Sequence, residues 1–204
     1  MAYDIKKDLK HLYRPGAGDF VEVTVPPLRH LAVDGHGNPN TSPAYATAVQ
    51  CLYAAAYTIK FAAKAGGNDF VVPPLEGLWS SADPAAFAAS DKDSWDWTML
   101  IVIPDLVPEA DVETGLAQAV NEKPELPVGD VAIRTLAEGR SLQILHVGAY
   151  DDEAATLHRL HHEVMPARGL TFNGHHHEVY LSHPRRVPPE RLKTILRQPV
   201  RRAS

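Results

Sequence analysis

Cysteine is almost missing from this 204-residue sequence: Cys51 stands alone, which rules out an intrachain disulfide framework. Its neighbours Val49, Leu52 and Ala54 are apolar, so we read it as a small buried side chain rather than a reactive thiol. No apolar run approaches the roughly 18 residues of a bilayer-spanning helix, so no membrane partner is expected. The N-terminus, MAYDIKKDLKHLYRPG, has charges where a signal peptide needs its apolar core, and a cytoplasmic protein is expected. An excess of positive charge is also lacking. A net charge of −5 gives no electrostatic reason to expect nucleic acid or an anionic surface as partner, and the Arg-rich end from Arg197 to Arg202 reads as a solvated tail. There is no P-loop and no GxSxG elbow. The glycines of VDGHGNPN lack the dinucleotide-binding spacing, so Asp34-Gly35 reads as a turn leading to a helix.

At 45% hydrophobic and 22% charged, the chain has the balance of a globular protein with a real core, as one sizeable domain or two small fused ones. Residues 1–18 are polar and end at Pro15-Gly16, which predicts a loosely attached arm before a domain over 19–200. Two extended segments follow, 20–26 and 28–37, broken by Pro26-Pro27. Ser42 and Pro43 then open a long helix that Gly66-Gly67 closes, with Tyr45, Val49, Leu52, Ala56 and Ile59 as its core stripe. Tyr53 and Tyr57 lie one turn apart on a neighbouring face. Strands are expected at 75–80 and 95–103, with a loop of some helical character over 81–94 between them. A helix fits 109–122, and PELPVG links the halves.

The second half repeats this order. Strands fit 131–136 and 141–147, a helix fits 151–167 before Gly169, and strands fit 178–182 and 192–200. EGLWS from Glu76 corresponds to EVYLS from Glu178. We read a twofold repeat of strand, strand, helix, strand, strand, covering about 19–123 and 130–200. Two such units would bury their remaining faces against one another, with a ligand cleft between them.

On the strand at 178–182, Glu178, Tyr180 and Ser182 share one face. A carboxylate facing a pocket could hold a cation or activate water as a general base. The plainer alternative pairs it with Arg185 or Arg186. Trp79, Trp95 and Trp97 are all the tryptophans, and with Tyr53, Tyr57, Phe61 and Tyr150 they would suit a planar ligand, or simply fill the core. His158, His161 and His162 recur at helical spacing, and His175 to His177 follow. Consecutive histidines on a strand diverge to opposite faces, and neither HExxH nor a cysteine pair is present, so no metal is expected and these rings read as local polar neighbours.

Four segments together resemble a known family: CLYAAAYTIKFAAK, LEGLWSS, WDWTMLIVIP and HHEVYLSHPRRVPPERLKTILRQPV are similar to stand-alone members of the GyrI-like small-molecule-binding domain family. The resemblance spans roughly residues 3 to 200 and is nearest to the branch that hydrolyses cyclopropanoid alkylators. It implies an α+β fold, a duplicated βαββ (SHS2-like) repeat in two pseudo-twofold halves with antiparallel sheet and a central ligand cleft. Some members are sensing domains fused to DNA-binding helices. The stretch before residue 19 leaves no room for such a module, so direct DNA binding is not expected. The family's pocket glutamate falls on Glu178 in HEVYL, its helix tyrosine on Tyr57 in LYAAAYTIKF, and its tryptophans on Trp79 and Trp97. Ile103-Pro104 departs from the glutamine-proline pair of similar chains, which bears on specificity.

The leading expectation is thus a hydrolase without cofactor that opens strained cyclopropanes. Glu178 would deprotonate the attacking water and Tyr57 would donate a hydrogen bond, while Trp79, Trp97, Phe61, Tyr150, Tyr53 and Tyr180 would hold a flat aromatic or cationic ligand. The alternatives are a non-catalytic binder that sequesters planar or cationic drugs and an interaction domain whose cleft takes a protein partner. The sequence sets no oligomeric state.

Overall fold

Short-range signals fix the longest helix and the strand ends, while strand partners come from far along the chain. The computed structural model describes residues 2–81 and 91–203. In chain order the first elements are α1 (Ile5–Asp8), α2 (Lys10–Tyr13), β1 (Val21–Val25), β2 (Leu28–His36), α3 (Pro43–Ala65), β3 (Leu75–Ser80), β4 (Asp96–Ile103) and α4 (Glu109–Glu122). There follow β5 (Ala132–Leu136), β6 (Gly139–Val147), α5 (Glu153–Arg159), α6 (Met165–Ala167), β7 (Leu170–Phe172), β8 (His176–Tyr180) and β9 (Lys193–Arg202). The expected loop at 81–94 lies mostly outside the described residues; Lys92–Ser94 form one 3₁₀ turn. No described helix is long and apolar enough to cross a membrane.

The chain forms two units. One comprises Met1–Asp8 and Leu28–Leu136, the other Leu9–Pro27 and Ala137–Ser204. This differs from the consecutive division at 19–123 and 130–200, because β1 and β5 pair outside their own halves. In the first unit the strand order is β3-β4-β2-β5, every pair antiparallel. In the second it is β1-β6-β9-β8, again antiparallel, with β7 on the last residues of β9. The β1–β6 and β2–β5 pairs are each clamped by a two-pronged arginine: Arg140 of β6 binds Glu22 of β1 through Nε and Nη2, both at 2.8 Å, and Arg134 of β5 binds Asp34 of β2. Planar guanidinium suits a carboxylate's two oxygens, which is why arginine serves here.

In the first unit, Ser42 keeps an extended backbone and its Oγ accepts from the Tyr45 N–H at 3.4 Å, with Pro43 opening α3 and Gly66 following its end. Such a cap contributes about 1 kcal/mol. Ala48, Cys51, Leu52, Ala55, Ala56, Ile59 and Ala63 recur every three or four residues and are buried, on the face that meets β2, β4 and α4. Burial pushes the Cys51 thiol up, and Asp130 adds to it. This is a packing residue.

The core of the second unit gathers Phe20, Leu142, Ile144, Leu160, Met165, Leu170, Leu196 and Val200. The helix expected over 151–167 is three pieces: α5, a π turn at Leu160–Val164, and α6. Pro166 accounts for the wide turn, since it offers no N–H to the His162 carbonyl and its ring crowds that group. The N-terminal arm is not loose, and here the sequence reading is corrected. The Tyr3 N–H donates to the Asp69 carbonyl at 2.9 Å, and Tyr3 accepts from the Val71 N–H at 2.8 Å. Leu12 and Tyr13 are buried. Charge along 1–18 hid a period of apolar residues short enough to be overlooked.

Candidate functional site

β8 reads HHEVY, and it alternates as a strand should. His177 and Val179 face one way and are fully buried; His176, Glu178 and Tyr180 face the other. The strand begins two residues earlier than expected, so the histidines belong to it. The Tyr180 hydroxyl donates to Glu178 Oε2 at 2.8 Å. His176 Nε2 lies 3.3 Å from Glu178 Oε1, with side-chain exposures of 8% and 13% for the two residues. That separation is within ion-pair range, yet neither ring nitrogen of His176 meets hydrogen-bond geometry. Among the described residues, Arg185 and Arg186 are exposed and make no pair with Glu178. Tyr150 meets the Tyr180 ring edge-on, centroids 5.7 Å apart. Its phenol is pushed up to about 12, first by burial and then by the charges of Glu153 and Glu178, so it stays a proton donor at any physiological pH. A carboxylate with one oxygen oriented by a phenol, flanked by two aromatic rings, can take a proton from water or face a cation.

The opposite face of β8 holds a buried polar network that sequence reasoning missed. His177 Nδ1 is 2.9 Å from Glu138 Oε1, and Arg197 Nη1 donates to Glu138 Oε2 at 3.2 Å. Arg197 Nε donates to Gln143 Oε1 at 3.1 Å and its Nη2 to the Leu12 carbonyl at 3.3 Å. Gln143 in turn donates to the His11 carbonyl at 2.8 Å. Arg197 is 2% exposed, so the arginine-rich end does not begin as a solvated tail. The network fixes β8, β9 and the N-terminal turn as one piece.

Two sets of aromatic residues in the first unit touch one another. Tyr45 stacks on Trp79 at 6.3 Å and meets Trp97 edge-on at 5.3 Å, and Trp95 meets Trp79 at 5.6 Å. Trp97 is buried: its Nε1 donates to the Gly37 carbonyl at 3.1 Å, and its ring lies flat on Gly35, its partner across the β2–β4 ladder. A Cβ on Gly35 would sit 2.0 Å from the indole. Gly35→Ala is expected to destabilise the protein by about 3 kcal/mol, read from the midpoint of urea unfolding; an unchanged midpoint would show that the ring can shift aside. The second set is a ladder along α3, Tyr53, Tyr57 and Phe61, with centroids 6.4 and 6.5 Å apart. Tyr57 is 48% exposed and Phe61 60%, unusual for large rings.

A model of the GyrI-like small molecule binding domain matches residues 19–201. The chain belongs to this family. Over 98% of its length the GyrI-like chain is similar to the whole of an uncharacterized conserved protein from Listeria innocua, at 40% identity and a TM-score of 0.89. It is similar over the same 98% to two whole chains from that organism named as hydrolases, at 39% and 38% identity with TM-scores of 0.84 and 0.87. The EcmrR C-terminal domain, 9% identical with a TM-score of 0.57 over 91% of this chain and 98% of its own, shares the fold alone. No curated protein matches.

In this GyrI-like domain the second unit therefore brings Glu178, Tyr180 and Tyr150 together, and the first unit brings together Tyr53, Tyr57 and Phe61, and separately Trp79 and Trp97. Three residues beside these groups were given no such place in the sequence reading. Tyr45 was read as core stripe, His176 as a local neighbour, and His30 not at all, although His30 Nε2 lies 3.6 Å from the buried Glu76. The equivalence of EGLWS and EVYLS was the available signal for Glu76. Among the described residues no set of three or more His, Cys, Asp or Glu is disposed to hold a metal ion.

His161, in the π turn, packs edge-on against Phe172 at 4.9 Å. Its imidazole is pushed down to about 4, first by burial and then by His176, His162 and His158. Unfolded, it would take a proton near pH 6.5. The unfolded state thus binds more protons as pH falls from about 6.5 to 4, and stability drops across that window. Relative to His161→Phe, the wild type is expected to lose on the order of 2 kcal/mol between pH 7 and 4, discounted for the water that still reaches the ring. Parallel unfolding curves at both pH values would contradict this.

Proposed function

We propose that this GyrI-like protein is a hydrolase that opens strained, cyclopropane-containing electrophiles by water activated at Glu178. The observation that carries the reading is the Glu178 carboxylate itself, 13% exposed, oriented by the Tyr180 hydroxyl and bordered by the Tyr150 ring. The hydrolase names of the two Listeria innocua relatives support it. In the proposed step, water oxygen bonds to a cyclopropane carbon while Glu178 takes the water's proton. The ring C–C bond breaks and its electron pair moves into a conjugated dienone, giving a phenolate that is then protonated. The product is the substrate plus one water. Flat surface beside Glu178 is assigned to Tyr150 and Tyr180.

The duplicated βαββ plan belongs to this proposal. Glu76 and Glu178 hold matching positions and each has a histidine beside it, His30 at 3.6 Å and His176 at 3.3 Å. Consumption of a DNA-alkylating ring in the cytoplasm would protect the cell. A second reading draws on the same carboxylate: with the Tyr180 and Tyr150 rings beside it, it also suits a binder of planar cations. Incubation with a spirocyclopropyl dienone, followed by chromatography and mass, decides between them. Many equivalents of water-adduct product per protein support the hydrolase; tight binding with no product supports the binder.

A further inference from the structure

On the hydrolase reading, Glu178 ends each water attack protonated and must lose that proton before it can act again. His176 stands two residues before it on the same face of β8, its Nε2 3.3 Å from Oε1. The imidazole is 8% exposed, and neither nitrogen completes a hydrogen bond. Leaving two buried polar atoms unmatched is unfavourable, so the arrangement calls for a use. On the helical side the π turn presents His161, whose Nε2 is likewise buried and unmatched. His158 and His162 lie with ring centroids 4.5 Å apart, tilted by 41°, and both are exposed. From the β8 side the groups near Glu178 are Tyr180 and Tyr150, with Glu153 acting on Tyr150. His161 stays neutral down to about pH 4, so it places no positive charge against a protonated His176.

We propose that His176 is the relay that receives the proton from Glu178 and passes it on, acting through Glu178 without touching substrate. Bonds balance: the O–H bond on Glu178 breaks as an N–H bond forms at His176 Nε2, and the imidazolium gives that proton up to the phenolate or to water before the next attack, which restores the ring that faces Glu178. The proposal rests on the hydrolase reading. The test is turnover of a spirocyclopropyl dienone by wild type, His176→Ala and His176→Gln at low buffer concentration, each with and without free imidazole. The expected result is a fall in kcat of roughly 10- to 100-fold with KM little changed, partly restored by imidazole in His176→Ala. His176→Gln guards against a folding defect, and its circular dichroism should match the wild type. Wild-type kcat in either variant, or a loss in a folded variant that imidazole leaves unrestored, would overturn the relay alone. A wild type that binds the dienone and never releases product overturns the hydrolase reading, and the relay with it.

Discussion

Glu178→Gln is expected to cut kcat by about 10²- to 10⁴-fold while binding of the flat substrate changes by only a few-fold. Glutamine keeps the volume of the side chain and still offers an oxygen to the Tyr180 hydroxyl, now 2.8 Å away. It cannot accept a proton from water. The loss therefore isolates proton transfer from positioning, and the two are separated by measuring product formation by chromatography beside binding by tryptophan fluorescence. If the variant instead lost affinity for planar cations and the wild type showed no turnover, the carboxylate would be a counter-charge and the binder reading would stand. Tyr180→Phe extends the comparison: it removes the hydroxyl that orients Glu178 but leaves the ring against Tyr150.

The largest expected effect on stability lies on the other side of the same strand. Arg197→Met should cost about 3–5 kcal/mol, because Glu138 and its His177 partner would remain buried without the guanidinium that balances the carboxylate. Gln143 and the Leu12 carbonyl would lose their donor as well. For a chain of this size each kcal/mol corresponds to about 2–4 °C in Tm, so a shift of roughly 10 °C is expected by calorimetry. Adding Glu138→Gln should recover part of the loss, since a neutral amide is less unfavourable to bury than a carboxylate that has lost its guanidinium. A single variant that melts within a degree or two of the wild type would show that water reaches the network.

How far each feature could be read in advance follows the distance over which it is determined. Ser42, Pro43 and Gly66 announce α3 because capping is local, and EGLWS and EVYLS announce strands because alternation is local. Glu178 was legible as a carboxylate within an apolar strand. His176 was not, since its neighbour across space, His161, sits on a helix whose π turn the 3.6-residue pattern does not show. The Glu138–His177–Arg197 set was out of reach for a plainer reason: its members lie 39 and 59 residues apart, and nothing in the flanking residues marks them as partners. The burial of Trp97 became visible through Gly35, which had seemed only a turn residue.

The pairing of β1 with β6 also has a consequence for biosynthesis. Val21 is matched to Gln143, so β1 leaves the ribosome more than a hundred residues ahead of the strand it must join. For that interval it is an unpaired edge on a growing chain, the kind of segment that seeks the wrong partner. Its alternation with Glu22 and Thr24 makes it a poor template for aggregation, and Arg140 arrives with β6 to take the glutamate as the ladder closes. Truncations placed between residues 123 and 131 should accordingly yield an N-terminal fragment that needs chaperones, rather than an independent folding half.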